Sequence, residues 1–240
     1  MSEGPITEFL LIHGSNHGAW CWRDVLPPLA AAGHAARAID LPGAGLDGTP
    51  LDAVTLDSYR DAVLGALHGR TILVGHSLGG VTITAAAAAA PEKVAALVYL
   101  CAWAPRPGDS ARDLRARYGC EALMGAMRRS PDRLTTSFAD ETLEELFYHD
   151  CPPGTADYAR DHLSAQPIAP GMAPALAVPD SVPRHYIRCT GDRIIPPEAQ
   201  ADMTRDWPAD HVHDLATGHS PFFADPVGLA ELLTRIAEKP

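Results

Sequence analysis

Between residues 71 and 90 the chain runs TILVGHSLGG and then VTITAAAAAA. The first four residues are apolar or β-branched without alternation, the pattern of a strand buried on both faces. The alanine-rich run beyond them has high helix propensity. Ser77 therefore stands at a strand-to-helix corner. Gly75, Gly79 and Gly80 carry no Cβ, so the chain can turn sharply there and the helix can approach the strand closely. That arrangement lifts the Ser77 hydroxyl above the sheet, the G-x-S-x-G pattern of a nucleophile elbow. A serine capping a helix is the alternative for the bare pentapeptide. The strand before it, the helix after it and the partners found downstream favour the nucleophile.

The rest of the chain repeats this alternation. Strands are expected over 6–12, 35–41, 94–101, 185–189 and 211–215, and helices over 20–32, 57–67, 81–90 and 226–237, with Pro27 and Pro28 kinking or shortening the first helix. Repeated strand and helix is the signature of a mostly parallel sheet covered on both faces, an α/β fold. From residue 105 to about 182 the alternation stops. Short helices over 141–148 and 156–163 are expected there, punctuated by Pro152, Pro153 and later prolines. A segment of that length in a compact domain is not a structureless loop. The expectation is a mainly helical cap, 105–182, inserted into a core formed by 1–104 and 183–240.

Composition narrows the function. A net charge of −11 argues against nucleic acid and anionic membrane as partners, since both attract basic patches. Five cysteines, at 21, 101, 120, 151 and 189, are odd in number and lack C-x-x-C spacing, so neither a disulfide framework nor a zinc site is suggested. The N-terminus carries Glu3 and no basic region ahead of an apolar stretch, and no run approaches the roughly 18 apolar residues of a membrane span. A cytoplasmic protein is expected. Oligomeric state is not encoded legibly, and a homodimer stays open.

A serine hydroxyl is a poor nucleophile near neutral pH and needs a base, which in turn needs an orienting acid. On this fold the order is serine, acid, histidine. Among eleven histidines, His219, in T-G-H-S-P just after the last strand, lies in a loop able to fold over the elbow. His211 and His213 alternate within that strand and read as strand-face residues. The turn should direct His76 away, and His13 and His17 are expected to pack or hydrogen-bond near the loop that closes the site. For the acid, Asp192 follows the strand 185–189 directly, although Gly-Asp is also a common turn dipeptide. The competing position, after the strand 94–101, holds no carboxylate, and Asp109 comes too late. The oxyanion formed by attack on an ester needs preorganised donors. The backbone N–H of Leu78 at the helix start is one, and Gly14 lets the loop after the first strand bring up the N–H of Ser15 as the other. The chemistry requires no metal or other cofactor, and neither H-E-x-x-H nor a glycine-rich phosphate loop is present.

Taken together, residues 10–14 (LLIHG) with 17–20 (HGAW), 74–80 (VGHSLGG), 186–192 and 218–221 (GHSP) resemble the α/β-hydrolase superfamily, and more narrowly its plant methyl esterase and hydroxynitrile lyase group with related bacterial esterases. The resemblance covers nearly the whole chain and is weakest in the expected cap. It implies an α/β-hydrolase fold with Ser77 as nucleophile, Asp192 as acid, His219 as base and Ser15 and Leu78 as oxyanion donors. The lyases of the group carry threonine where this chain has Gly14 and lysine where it has Ser220. Both markers are missing, and Ser220 supplies no cation to stabilise departing cyanide.

The reading that results is a serine esterase acting on a small-molecule carboxylic ester. A hydrolase-fold protein that binds a small ligand without turning it over is the alternative, and a carbon–carbon lyase a further one. Gly14, Trp103, Phe138, Phe147 and Met172 are candidate substrate contacts, each of which would serve equally well as core. The acyl and alcohol groups are not legible.

Overall fold

The computed structural model describes residues 8–239. The first two residues of the strand expected over 6–12, the N-terminal stretch around Glu3 and the final Pro240 lie outside them. Before the break at residue 105 the chain forms β1 (Glu8–Ile12), α1 (Leu26–Ala31), β2 (Ala35–Ile39), α2 (Leu56–Gly65), β3 (Thr71–His76), α3 (Gly79–Ala89) and β4 (Val94–Leu100). Between residues 105 and 182 come α4 (Ala111–Tyr118), α5 (Glu121–Ala126), β5 (Met127–Arg129), β6 (Thr135–Phe138), α6 (Thr155–Arg160) and β7 (Gln166–Pro167). The chain then continues with β8 (Arg184–Cys189), α7 (Pro197–Met203), β9 (Val212–Leu215), α8 (Pro221–Ala224) and α9 (Pro226–Glu238).

Six strands make one sheet in the order β2-β1-β3-β4-β8-β9, with every neighbouring pair parallel. A parallel sheet is covered on both faces, which is why its central strands read as unbroken apolar runs: β3 is buried at every position. Because all six strands point the same way, the loops that follow them gather at one edge. The order also reverses there, β1 leading outward to β2 and β3 leading the other way, and the crevice at such a reversal is where this class of fold holds ligands.

The helices follow from side-chain pattern and from their ends. α3 is buried from Gly79 through Ala87, so it has no polar face, and its alanines let it lie close to the sheet. α9 buries Leu229, Leu232, Leu233 and Ile236, one stripe at helical spacing, and the Asp225 carboxylate caps its start by accepting from the Gly228 N–H at 2.9 Å. The helix expected over 20–32 is shorter. Residues Ala19–Trp22 form a 3-10 turn, and α1 begins only at Leu26, with Pro27 and Pro28 in its first turn, where a missing N–H costs nothing.

Residues 105–182 contribute no strand to the large sheet. Helical turns predominate, as expected, but the helix foreseen over 141–148 is a 3-10 turn, Asp140–Thr142, followed by a π turn, Leu143–Phe147. Three features were not foreseen. β5, β6 and β7 pair as a small antiparallel sheet. α4 starts in a capping box, with Ser110 and Asp113 exchanging side-chain and backbone bonds, and ends at Gly119 in the left-handed region. α5 follows at once. Among the described residues no helix is long and apolar enough to cross a membrane.

Candidate active site

Ser77 follows β3 with φ +52°, a left-handed conformation that is strained for a residue with a Cβ. The strain is held by three backbone bonds: its N–H donates to the Leu100 carbonyl at 3.2 Å, and its carbonyl accepts from Gly80 at 3.2 Å and Trp103 at 3.1 Å. Gly75 permits the turn, since a Cβ there would stand 2.6 Å from the Gly79 carbonyl oxygen.

His219 and Asp192 come to Ser77 from the loops after β9 and β8. The Ser77 Oγ lies 3.1 Å from His219 Nε2, and His219 Nδ1 lies 2.8 Å from Asp192 Oδ2. An ionised carboxylate only accepts, so Nδ1 carries the proton and the Nε2 lone pair faces the hydroxyl. All three side chains are buried, Ser77 the least at 9% exposure, which leaves its hydroxyl within reach of the space beside it. The Asp192 carboxylate is fixed by the N–H groups of Ile194 (2.7 Å) and Ile195 (3.0 Å) on Oδ1 and by the Gln200 amide (3.1 Å) on Oδ2. Gln200, on α7, is itself locked: its oxygen accepts from Cys189 N–H at 3.0 Å and its amide donates to the Ile195 carbonyl at 2.7 Å. Sequence reasoning missed it.

It also understated His76. The turn does carry that ring away from the Ser77 hydroxyl, but onto the next loop, where its Nε2 donates to the His219 carbonyl at 2.8 Å and the two rings lie 4.7 Å apart. Burial, reinforced by His219 and His17, pushes the His76 pKa well below the usual histidine range, so the ring stays neutral and can donate from one nitrogen only. His76, Cys101 and His219 bring possible metal ligands within 4.8 Å of one another. Both His219 nitrogens are already bonded, to Asp192 and Ser77, and burial raises the Cys101 thiol far from its thiolate form, so this group is poorly suited to a cation.

The loop after β1 lies against Ser77. A Cβ on Gly14 would meet both the Ser77 Cβ and the His76 ring at 2.8 Å, so glycine is what allows the approach. The backbone N–H groups of Ser15 and Leu78 donate to no protein acceptor among the described residues. Leu78 stands at the start of α3, where the helix dipole favours negative charge. The loop is clasped to the 105–182 segment. His17 donates from Nδ1 to the Ser15 carbonyl at 2.8 Å and accepts at Nε2 from the Tyr148 hydroxyl at 2.9 Å. The Asn16 amide donates to the Thr136 and Ser164 carbonyls at 2.9 and 2.7 Å. Burial lowers the His17 pKa to about 3 and raises that of the Tyr148 phenol well above its ordinary value, so this clasp joins two neutral groups.

Directly beside Ser77 and His219 is a space of about 20 Å³, room for one or two waters, lined in part by Trp103, Phe138, Phe147 and Ile194. It adjoins a cavity of about 800 Å³ with which it shares Ser15, Arg115, Met127 and Thr136. Of the expected substrate contacts, Trp103, Phe138 and Phe147 line the small space and Met172 the large one, whereas Gly14 lines neither and acts through the backbone behind Ser77.

A family model described as the alpha/beta hydrolase family matches residues 9–232. The chain belongs to this family. Methylesterase 7 of Arabidopsis thaliana is 33% identical over 258 residues, spanning 100% of this chain and 99% of the relative. The pheophorbidase of Raphanus sativus is 30% identical over 250 residues, spanning 98% and 95%. Among solved structures, a pyrethroid hydrolase from Sphingobium faniae JZ-2 superposes with a TM-score of 0.87 at 29% identity, covering 98% of this chain and 99% of that one. This α/β-hydrolase thus resembles the plant methylesterases over its full described length.

Proposed function

We propose that this hydrolase cleaves small carboxylic esters through an acyl-enzyme on Ser77, with residues 105–182 forming the cap over the site. One observation carries the reading: a buried hydroxyl, imidazole and carboxylate in series, at 3.1 and 2.8 Å, drawn from three separate loops. His219 Nε2 takes the proton as Ser77 attacks the carbonyl carbon, and the imidazolium is balanced by Asp192. The tetrahedral oxygen is held by the N–H groups of Ser15 and Leu78, whose bonding capacity no protein acceptor among the described residues uses. His219 then gives its proton to the departing alcohol. Water, deprotonated by the same nitrogen, attacks the acyl carbon and frees the acid. Each proton transfer is accounted for by these side chains. Five unpaired cysteines support a reducing, cytoplasmic setting for the reaction. Ser220, where the lyases of this group carry lysine, is fully buried and brings no cation to the site, which speaks against cyanide release.

The test is Ser77→Ala on short p-nitrophenyl and methyl esters. Turnover should fall by at least about 10⁴-fold, with the thermal midpoint kept. Undiminished hydrolysis would remove Ser77 from the mechanism. A wild-type protein that is stabilised against heat by esters yet hydrolyses none would favour the binding-protein alternative.

A further inference from the structure

The large cavity has an unexpected charge. Its wall includes Arg112, Arg115 and Arg129, against one carboxylate, Glu121. This occurs in a chain of formal charge −11. Most of its other arginines find partners: ten, such as Arg37 with Glu8, Arg117 with Asp109 and Arg188 with Asp214, form ion pairs, Arg70 and Arg193 donate to backbone carbonyls, and Arg133 and Arg235 stand without a side-chain partner among the described residues. The guanidinium groups of the three on the cavity wall form no hydrogen bond or ion pair among the described residues. α4 makes the contrast sharpest. Residues 112, 115, 116 and 119, spaced as one helix face, line the cavity, while Arg117 turns to the other side and holds Asp109 through both carboxylate oxygens at 3.0 and 2.6 Å.

Arg115 is the best placed of the three. It alone also lines the small space at Ser77 and His219. It is partly buried, and desolvation lowers its pKa, although a guanidinium remains charged throughout the accessible range. A desolvated cation without a counter-charge is costly, and the planar fork of donors matches a carboxylate in two parallel bonds. We propose that Arg115 is the carboxylate-recognising residue of the substrate cavity, so that the preferred substrate is an ester bearing a second, anionic carboxyl group, as in a dicarboxylic acid monoester. This rests on the ester-hydrolysis reading for the reaction itself, but the binding step stands apart from it. Arg112 and Arg129, more exposed, add a positive field at the wall that draws such an anion inward. The reacting ester then sits in the tight space at Ser77, with the free carboxylate one cavity wall away.

The experiment compares monomethyl adipate with methyl hexanoate, which differ in one terminal carboxylate. In the wild-type enzyme kcat/KM should favour the anionic ester, mainly through KM. Arg115→Met should reduce the anionic-to-neutral ratio by about 10- to 100-fold, the range of a lost charge-assisted bond. Arg115→Lys should restore part of it, and Arg117→Met, outside the cavity, should leave the ratio where it was. A ratio unmoved by Arg115→Met in a variant of unchanged thermal midpoint overturns the assignment. Calorimetric binding of the same two esters to Ser77→Ala separates the two readings. Arg115-dependent selective binding with no wild-type turnover would keep the carboxylate site and sink the esterase. Hydrolysis of both esters with equal binding would do the reverse.

Discussion

The parallel sheet and the 105–182 segment solve different problems. The sheet brings together side chains that are 142 residues apart in the chain, Ser77 and His219, by ending parallel strands at one edge, and Ser77, Asp192 and His219 each follow a strand of that sheet. The segment builds the greater part of the cavity wall from helices of at most eight residues and strands of at most four. Three guanidinium groups on that wall have no partner among the described residues, whereas its Gln166 is bonded to Asn16 and Tyr59. A scaffold that locks geometry suits bond-breaking, which tolerates displacements of a few tenths of an ångström poorly. A wall of short elements can change its lining without disturbing that geometry.

If this division is right, damage at the sheet edge should cut every ester alike, whereas damage in the segment should change which ester wins. Asp192→Asn is the severest such test short of the nucleophile. The backbone N–H groups of Ile194 and Ile195 hold the amide oxygen at the Oδ1 position and turn the NH2 toward Nδ1, so His219 is driven toward the wrong tautomer, and kcat should fall by about 10³- to 10⁴-fold on neutral and anionic esters equally. Unequal losses would mean that the acid also reads the substrate, and the division would break. Gly14→Ala comes next. Its new methyl would meet Ser77 Cβ and the His76 ring at 2.8 Å, and the loop must retreat, taking the Ser15 N–H with it. Losing one oxyanion donor predicts a drop of about 10²- to 10³-fold in kcat with KM little changed. Single-turnover kinetics on both esters would show whether the loss falls on acylation.

The same division explains what could be read from the residues in advance. Each of the three side chains bonded in series sits beside its own strand, and buried parallel strands announce themselves as apolar runs, so Ser77, Asp192 and His219 were legible as local motifs. Gln200 was not, because its task is set by a carboxylate reached only when α7 folds back on the loop after β8. Nor was the bond from His76 to the His219 carbonyl, which joins residues 143 apart. In the segment, β5 reads MRR, β6 TTSF and β7 QP, too short to show alternation. α4 buries Ala111 and Leu114 while carrying three arginines, which left no apolar stripe to identify it and no reason to single out Arg115.

The clasp between the two regions gives the last and smallest test. His17, on the loop after β1, accepts from Tyr148 of the segment while neutral, and burial holds its pKa near 3 against 6.5 for the unfolded chain. Below pH 6.5 the unfolded chain therefore takes up a proton that the folded protein refuses, so stability falls with pH from 6.5 down through about 3 and is unaffected by this group above that window. Replacing His17 with glutamine should destabilise the protein at pH 7 by removing the ring stacked on Trp20 at 5.2 Å, yet also remove that proton from the balance. Between pH 6 and pH 5 the gap between wild type and variant should accordingly narrow by about 1 kcal/mol. Urea unfolding at the two pH values measures it. Parallel slopes would mean that His17 already takes up its proton in the folded protein, and that the clasp loosens under mild acid, joining through that one residue the two regions which the catalytic variants are meant to separate.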